Sequence, residues 1–233
     1  MAHGHRCALY GLLLAAVFLA GCGLEGERSV LPYEDDFSGS CDDWGLRDDE
    51  EARLGCTGGQ YRILFRDTSK TMNRIIVRDM DEPVQSIGLE AEAGIYASPR
   101  TSPDDLVAFG LVCSTRSDPG DEQGYFLWVA PDLRIFAIDK GDANGPKSTY
   151  TRLEDGQLPS SAIDGTDESI HLRAECRQEG DQAVLTMWVN GEQVAVVKDP
   201  HGYHGYISFG FFATSPKRGA DFRFDSFAAE ELD

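Results

Sequence analysis

Positive charge is scarce in this sequence of 233 residues. Its 21 Lys and Arg residues stand against 40 Asp and Glu residues, so the formal net charge at pH 7 is −19. A surface of this sign repels phosphate backbones and anionic lipid headgroups. The charge balance therefore excludes nucleic acid as an expected partner and favours a well-solvated surface.

Helical and catalytic signatures are missing as well. No segment sustains the apolar spacing of an amphipathic helix. The sequence has no GxSxG, no HExxH and no phosphate-binding glycine-rich loop, which are signatures of several enzyme classes. His201 and His204 have a metal-like spacing but lack a neighbouring cluster of cysteines or carboxylates, so we do not expect zinc there.

The sequence also lacks an N-terminal apolar run long enough to cross a bilayer. Residues 7–21 (CALYGLLLAAVFLAG) form a run of 15 residues, whereas a transmembrane helix needs about 20. The run follows Arg6 and ends in small residues, an order that is typical of a secretory signal peptide. Without such a leader, the net charge of the remaining chain changes from −19 to −20, because Arg6 is the one fixed charge removed.

The end of this run resembles the lipobox of bacterial lipoproteins. Residues 19–22 read LAGC, and the resemblance implies cleavage before Cys22 and acylation of that cysteine. We therefore expect a signal peptide over residues 1–21 and a lipid-anchored tether over residues 22–32. The protein would lie at the cell membrane, outside the cytoplasm, and would contact the membrane through the lipid alone.

Export places the remaining cysteines where thiols oxidise. Four cysteines follow Cys22, and four allow three pairings. In the runs 106–114 and 169–176, the alternation puts Cys113 and Cys176 on the apolar faces of two strands. We therefore predict a disulfide between Cys113 and Cys176, and a second one between Cys41 and Cys56.

Apolar runs rich in Val, Ile, Phe and Tyr, separated by turn residues, predict a chain made of strands. Asn190-Gly191 is the strongest hairpin signal, and the segment 141–165 reads as irregular chain that wraps an edge. No break in composition divides the chain, so we expect one all-β, antiparallel two-sheet β-sandwich over residues 33–233. Its strands are predicted at 60–66, 72–78, 84–98, 105–115, 124–130, 133–139, 168–177, 182–189, 192–198, 205–214 and 220–229.

Five segments carry a resemblance to a known family. They read YEDDFSGSCDDW, GGQYRI, DEQGYFLWVAPDLRIFAI, IHLRAECRQEGDQAVLTMWVNGEQV and GYISFGFFATSPKRGADFRFDSF. Their order resembles the concanavalin-A-like lectin/glucanase jelly roll, in its LamG-like and laminarinase-like branch. The resemblance implies that the first strand lies beside the last, and it favours a non-catalytic module that binds extracellular carbohydrate. The alternatives are a glycoside hydrolase of the same fold, and a structural or protein-interaction domain.

Two glutamates in the stretch SIGLEAEAGIY, residues 86–96, are the candidate catalytic residues of the hydrolase alternative. Glu90 and Glu92 share one face of a strand, roughly 6.5–7 Å apart at Cα, which fits the carboxylate spacing of glycosidases. The laminarinase-like enzymes carry Glu-x-Asp-x-Glu on such a face, whereas Gly94 occupies the third position here. We therefore interpret the two glutamates as ligand contacts or solvated charges, and keep catalysis as the alternative.

Acidic residues near both ends of the chain suggest a structural calcium site. Related sandwiches often hold calcium where these ends meet, and calcium prefers carboxylate and carbonyl oxygens. The resemblance thus implies Glu34, Asp35 and Asp225 as ligands. The alternative is that these charges protect strand edges from pairing with other sheets.

Outward aromatic residues complete the candidate ligand-binding set. The alternation puts Trp128 opposite to Tyr125 and Leu127, and it puts Trp188 outward on another strand. An exposed indole can stack on a sugar ring. We therefore predict ligand contacts by Trp128, with Arg134 as a polar partner, and by Trp188, together with Glu90 and Glu92.

We expect Cys22→Ala to release the protein from the membrane fraction, because that change removes the acylated side chain. Cell fractionation followed by immunoblotting measures the effect. A variant that still sediments with membranes would contradict the lipid anchor.

Overall fold

The computed structural model describes residues 30–66, 72–97, 106–118, 121–144, 149–163, 169–215 and 219–233. The predicted signal peptide, Cys22 and most of the tether lie outside these ranges. Within them the chain is all-β, with two 3₁₀ turns at Asp42–Trp44 and Pro131–Leu133. No helix in the described ranges has the length and apolarity to cross a membrane.

Fifteen strands follow one another along the described chain. They are β1 Tyr33–Asp35, β2 Arg47–Asp48, β3 Ala52–Cys56, β4 Tyr61–Phe65, β5 Met72–Val84, β6 Ile87–Ala97, β7 Ala108–Asp118, β8 Asp121–Ala130, β9 Ile135–Asn144, β10 Thr149–Gln157, β11 Ile170–Glu179, β12 Gln182–Val189, β13 Glu192–Asp199, β14 Tyr206–Ser215 and β15 Ala220–Glu231.

These strands form two antiparallel sheets. The nine-stranded sheet has the order β13-β12-β11-β6-β15-β4-β3-β2, and β1 also pairs with β15. The six-stranded sheet has the order β10-β9-β8-β7-β14-β5. The first strand therefore lies beside the last, and the predicted two-sheet β-sandwich is confirmed.

The core lies between the sheets, where alternate residues of each strand are buried. On β6 these are Ile87, Leu89, Ala91, Ala93 and Ile95, as the alternation predicted. Aromatic rings join the sheets at the centre, because β14 belongs to one sheet and β15 to the other. Their closest contacts are Phe211 stacked on Phe224, with ring centroids 4.1 Å apart, and Phe209 on Phe227 at 5.6 Å.

Both predicted disulfides are confirmed. Cys113 of β7 and Cys176 of β11 are fully buried, and their bond joins the two sheets across the core. Cys41 and Cys56 form the second bond, which ties the first 3₁₀ turn region to the end of β3. The alternation therefore located the Cys113–Cys176 crosslink correctly.

The prediction that residues 141–165 are irregular is wrong, because this segment contains the edge strand β10. This strand pairs with β9 and has a bulge between Arg152 and Glu154. Its side chains are mostly exposed, since an edge strand outside the core buries neither face fully. The apolar alternation used to find strands is therefore absent from TYTRLEDGQ. The short β2 and β3 were not predicted either.

A buried ion pair joins the rims of the two sheets. Asp199, at the end of β13, is 5 % exposed and accepts hydrogen bonds from Tyr125 Oη at 2.9 Å and from Lys140 Nζ at 2.7 Å. The backbone N–H of His201 donates to its other oxygen. Burial alone would raise the pKa of Asp199, but the bonds from Lys140 and Tyr125 outweigh it and hold the pKa below its ordinary value.

We expect Lys140→Met to lower the free energy of unfolding by about 2 kcal/mol or more at pH 7, because it leaves a buried carboxylate without its cation. The pKa of Asp199 is lowered by folding, so its stabilising contribution is present above the unfolded pKa of about 3.9 and is lost as the pH falls through the folded value. The difference between the two proteins should therefore shrink at about pH 3.

Urea denaturation at both pH values measures this difference. The matched control is Lys198→Met, since Lys198 forms an exposed ion pair with Glu179 and should contribute less than about 1 kcal/mol. Equal losses in the two variants would contradict the role assigned to Asp199.

Candidate functional site

The predicted ligand-binding residues are divided between opposite sides of the sandwich. Glu90 and Glu92 on β6 and Trp188 on β12 lie on the outer face of the nine-stranded sheet, because their neighbours along each strand point into the core. Trp128 on β8 lies on the outer face of the six-stranded sheet. These residues therefore cannot form a single site.

The register of the nine-stranded sheet aligns five residues into one row. Glu34 of β1 pairs with Ala228 of β15, which pairs with Glu90 of β6. Glu90 pairs with Arg173 of β11, and Arg173 pairs with Trp188 of β12. Directly opposed residues on neighbouring strands are close enough to interact, so this row, the Glu34–Trp188 row, is continuous across the sheet.

Arg173 is the central cation of the Glu34–Trp188 row. Its guanidinium carbon lies 5.0 Å from the centroid of the Trp188 ring, within the range of a cation–π contact. Its Nε lies 3.6 Å from a carboxylate oxygen of Glu90, and Nη2 donates to Glu175 at 2.8 Å. Arg173 is thus held between an indole and two carboxylates, and it links Glu90 to Trp188.

The next row carries a histidine. His171 pairs with Glu92 across the β11–β6 ladder, while its Nε2 lies 3.5 Å from the carboxylate of Glu90. That contact is an ion pair only when His171 is protonated. Glu92 is exposed and pairs with Ser226 on its other side. The carboxylates therefore have different neighbours, since Glu90 lies against two basic side chains.

A groove of about 450 Å³ opens beside this row. Its volume lies within the range of small-molecule sites. A second hollow of about 180 Å³ adjoins it and shares Glu34, Glu90 and Ala228 with it. The polar side chains that line the larger groove are Glu34, Asp35, Asp36, Glu90, His171 and Ser226.

The composition of the groove determines what it can bind. Ionised carboxylates only accept hydrogen bonds, so they suit the hydroxyl or ammonium groups of a ligand. Four carboxylates together repel an anionic group. The half-buried Trp188 ring at the end of the row supplies an apolar surface.

The aspartate predicted as a calcium ligand in β1 serves as a hydrogen-bond acceptor instead. Asp35 accepts from Trp44 Nε1 at 2.7 Å and from Tyr33 Oη at 2.8 Å. It also accepts from the backbone N–H of Phe37 at 2.7 Å. Burial and this carboxylate raise the pKa of Tyr33. Asp35 therefore fixes the N-terminal segment onto the core.

The other acids do not complete a metal site. Asp225 accepts a hydrogen bond from Gln60 Nε2, and Glu34 lines the groove. Across the described ranges, no three His, Cys, Asp or Glu side chains are grouped as metal ligands. The described residues show no grouped ligands at Glu34, Asp35 and Asp225, so calcium binding there stays a prediction.

The predicted role of Trp128 is not supported either. Its ring is 6 % exposed, and its Nε1 donates to Asp139 at 2.7 Å. The cation over the ring is Arg152, 5.2 Å from the centroid, because β10 lies beside β9 at this edge. Arg134, predicted as the partner, instead donates to the carbonyl of Pro159 at 3.4 Å. Trp128 therefore has little free ring surface for stacking.

Sequence reasoning missed two basic residues of this site. His171 and Arg173 lie at alternate positions of IHLRAEC, so the alternation already put them on the outer face. Their contact with Glu90 depends on the pairing of β11 with β6, strands that are far apart in the chain. No local pattern specifies such a pairing.

Comparisons with known proteins give structural matches only. No family model matches the chain, and no curated protein matches it. A protein of unknown function with a galectin-like fold from Bacillus subtilis is 10% identical, with a TM-score of 0.57 over 88% of this chain and 97% of its own. The carbohydrate recognition domain of Emp46p in its potassium-bound form is 10% identical, with a TM-score of 0.52 over 83% of this chain and 97% of its own.

A third solved structure, a sialidase, is 11% identical with a TM-score of 0.56. The match covers 87% of this chain but only 18% of the sialidase chain. Identities this low establish a shared fold. The chain has a lectin-like β-sandwich fold.

We expect Asp35→Asn to lower the free energy of unfolding by about 1–2 kcal/mol, because a half-buried carboxylate that accepts three hydrogen bonds loses its charge. Urea denaturation measures the loss, with Glu34→Gln as the adjacent control that should change stability little. A melting temperature of the wild-type protein that falls on addition of a chelator would contradict this assignment and favour a metal site.

Proposed function

We propose that this chain is a lipid-anchored cell-surface module that binds extracellular carbohydrate without catalysis. Its binding site is the groove of about 450 Å³ together with the Glu34–Trp188 row. Residues 1–21 are the signal peptide, Cys22 carries the lipid, and the module faces outward from the membrane. The observation that carries the proposal is the combination, on one outer face, of a carboxylate-lined groove with the Arg173–Trp188 pair.

Carbohydrate fits this surface because a sugar has both polar and apolar faces. Its hydroxyl groups donate to carboxylates such as Glu90 and Glu34. Its C–H face packs on an aromatic ring such as Trp188, and the guanidinium of Arg173 donates to ring or hydroxyl oxygens. The lectin-like fold supports the same proposal, since one structural neighbour is the carbohydrate recognition domain of Emp46p.

The charge of the site indicates which carbohydrates it would accept. Glu34, Asp35, Asp36 and Glu90 line the groove, and the whole chain carries a net charge of −19. Both the local and the overall field disfavour sulfated or carboxylated sugars there. We therefore expect neutral glycans, or glycans that bear free amino groups, in this groove.

A binding role agrees better than hydrolysis with the surroundings of the two glutamates. A glycosidase needs one carboxyl group that donates a proton, and such a group is kept protonated by apolar surroundings that exclude water. Glu90 lies against Arg173 and His171. Both carboxylates are open to solvent, and Gly94 offers no third acid. These features supply a ligand contact more readily than a proton donor.

We expect the full chain carrying Cys22→Ala to bind neutral or amino-bearing oligosaccharides on a glycan array and in calorimetric titration. Adding Trp188→Ala or Glu90→Gln should weaken binding by about tenfold or more, since each removes a contact in the row. The matched control is Tyr150→Ala, because Tyr150 is an exposed aromatic residue on the other sheet and should not change affinity.

Two results would overturn this proposal in different ways. Absence of binding to any glycan would favour a structural or protein-interaction domain. Hydrolysis of β-glucans by the wild-type chain, lost in Glu90→Gln, would instead establish the glycoside hydrolase alternative.

A further inference from the structure

A second groove lies at the β2 edge of the nine-stranded sheet, next to β2, β3 and β4. Its volume is about 430 Å³. The charged residues that line it are three arginines, Arg47, Arg53 and Arg62, and a single acid, Asp48. The lining thus has more basic than acidic residues in a chain whose net charge is −19. Asp49 and Asp221 pair with Arg47 and Arg62, so Arg53 supplies the least neutralised positive charge.

We propose that this groove, the arginine groove, is a binding site for an oxyanion, namely the carboxylate or sulfate group of an acidic saccharide. A guanidinium presents several N–H donors in a planar fork that matches such a group. The proposal is independent of the carbohydrate site assigned to the Glu34–Trp188 row, since none of the residues that line the two grooves is shared.

Arg62 is fixed in position by a buried acid. Its Nε and Nη2 donate to the two oxygens of Asp221, at 2.8 and 2.9 Å. Asp221 is buried, so this pair orients the guanidinium rigidly. No hydrogen bond joins Nη1 to another of the described residues. Arg62 thus binds Asp221 by one edge and contributes the other edge to the groove.

Arg47 is oriented in the same manner. Its Nε contacts the carboxylate of Asp49, and its Nη2 lies 3.6 Å from Glu51. The carboxyl group of Asp49 also accepts bonds from the backbone N–H groups of Ala52 and Glu51, and these bonds with Arg47 lower the pKa of Asp49 to about 2. Asp49 therefore stays ionised and holds Arg47 at the wall of the arginine groove.

Arg53 is the cation most open to a ligand. Its side chain is 64% exposed, and the closest carboxylate, Asp48, is 3.8 Å away. That separation exceeds a hydrogen bond. An exposed pair of this kind contributes little to stability, and Asp48 keeps its contact with Arg66. A ligand oxyanion can therefore take the place of Asp48 beside Arg53 at little cost.

The arginine groove also has an apolar wall, and a disulfide bond fixes the strand beside it. Leu46 is 61% exposed, and Leu54 lies beside it in the lining. A Cβ added at Gly55 would lie 3.2 Å from Leu46 Cδ2, so β3 and Leu46 are in close approach. The neighbouring Cys56 is fixed by its disulfide to Cys41. The site therefore suits an anion that is attached to a compact ring.

Thermal shift and calorimetric titration of the full chain carrying Cys22→Ala test this proposal. The ligands are glucuronate, inorganic sulfate and, as an uncharged control, glucose, all at an ionic strength held constant with sodium chloride. We expect a saturable rise in the melting temperature with glucuronate and none with glucose, because a ligand that binds only the folded state stabilises it. Arg53→Gln should weaken glucuronate binding at least tenfold.

Arg134→Gln is the matched control, since Arg134 is an exposed arginine outside the arginine groove. Its affinity for glucuronate should equal that of the wild type. Equal binding of sulfate and glucuronate would support a site for the oxyanion itself, and tighter binding of glucuronate would support a sugar-borne group. Absence of saturable binding, or affinity unchanged by Arg53→Gln, would overturn the proposal.

Discussion

The contact between the inner faces of the two sheets is the constraint on which the rest of the molecule depends. Phe211 stacks on Phe224 at its centre, and the Cys113–Cys176 bond crosses it nearby. Because side chains alternate along a strand, burial of one face obliges every second residue to point outward. The packing of the core therefore determines which residues are available for a ligand.

The outward residues of the two sheets differ in their chemistry. The outer face of the six-stranded sheet carries an apolar cluster around Phe126 and Trp128, where side chains cover one another. The outer face of the nine-stranded sheet carries charged residues such as Glu90 and Arg173. Charged side chains of this second face remain solvated, so their donors and acceptors are open to exchange with a ligand. A ligand site is therefore better placed on the nine-stranded sheet.

The features that depend on the alternation of apolar and polar residues along one strand could be predicted from the sequence. Sequence analysis predicted the sandwich, the outward direction of Glu90 and Trp188, and the Cys113–Cys176 bond, because a period of two residues reports directly on burial. It missed β10, since an edge strand with exposed faces has no such period. It did not find the three hydrogen bonds that Asp35 accepts, because a sequence does not show which donors surround a carboxylate.

The composition of the candidate site depends on strand register. Glu90 and Arg173 are 83 positions apart and become neighbours only because β6 pairs with β11. Arg53 and Arg62 likewise share the outer face only because β3 pairs with β4, where Arg62 lies opposite Gly55.

Register is determined by the whole core, since a shift of one residue would turn every outward charge inward. The same packing therefore separates an acidic groove from a basic one on a single sheet. In a chain of net charge −19, the basic groove stays attractive to an anion only at short range. Long-range repulsion would slow the approach of that anion. The proposed site therefore depends on short-range contact with the exposed Arg53.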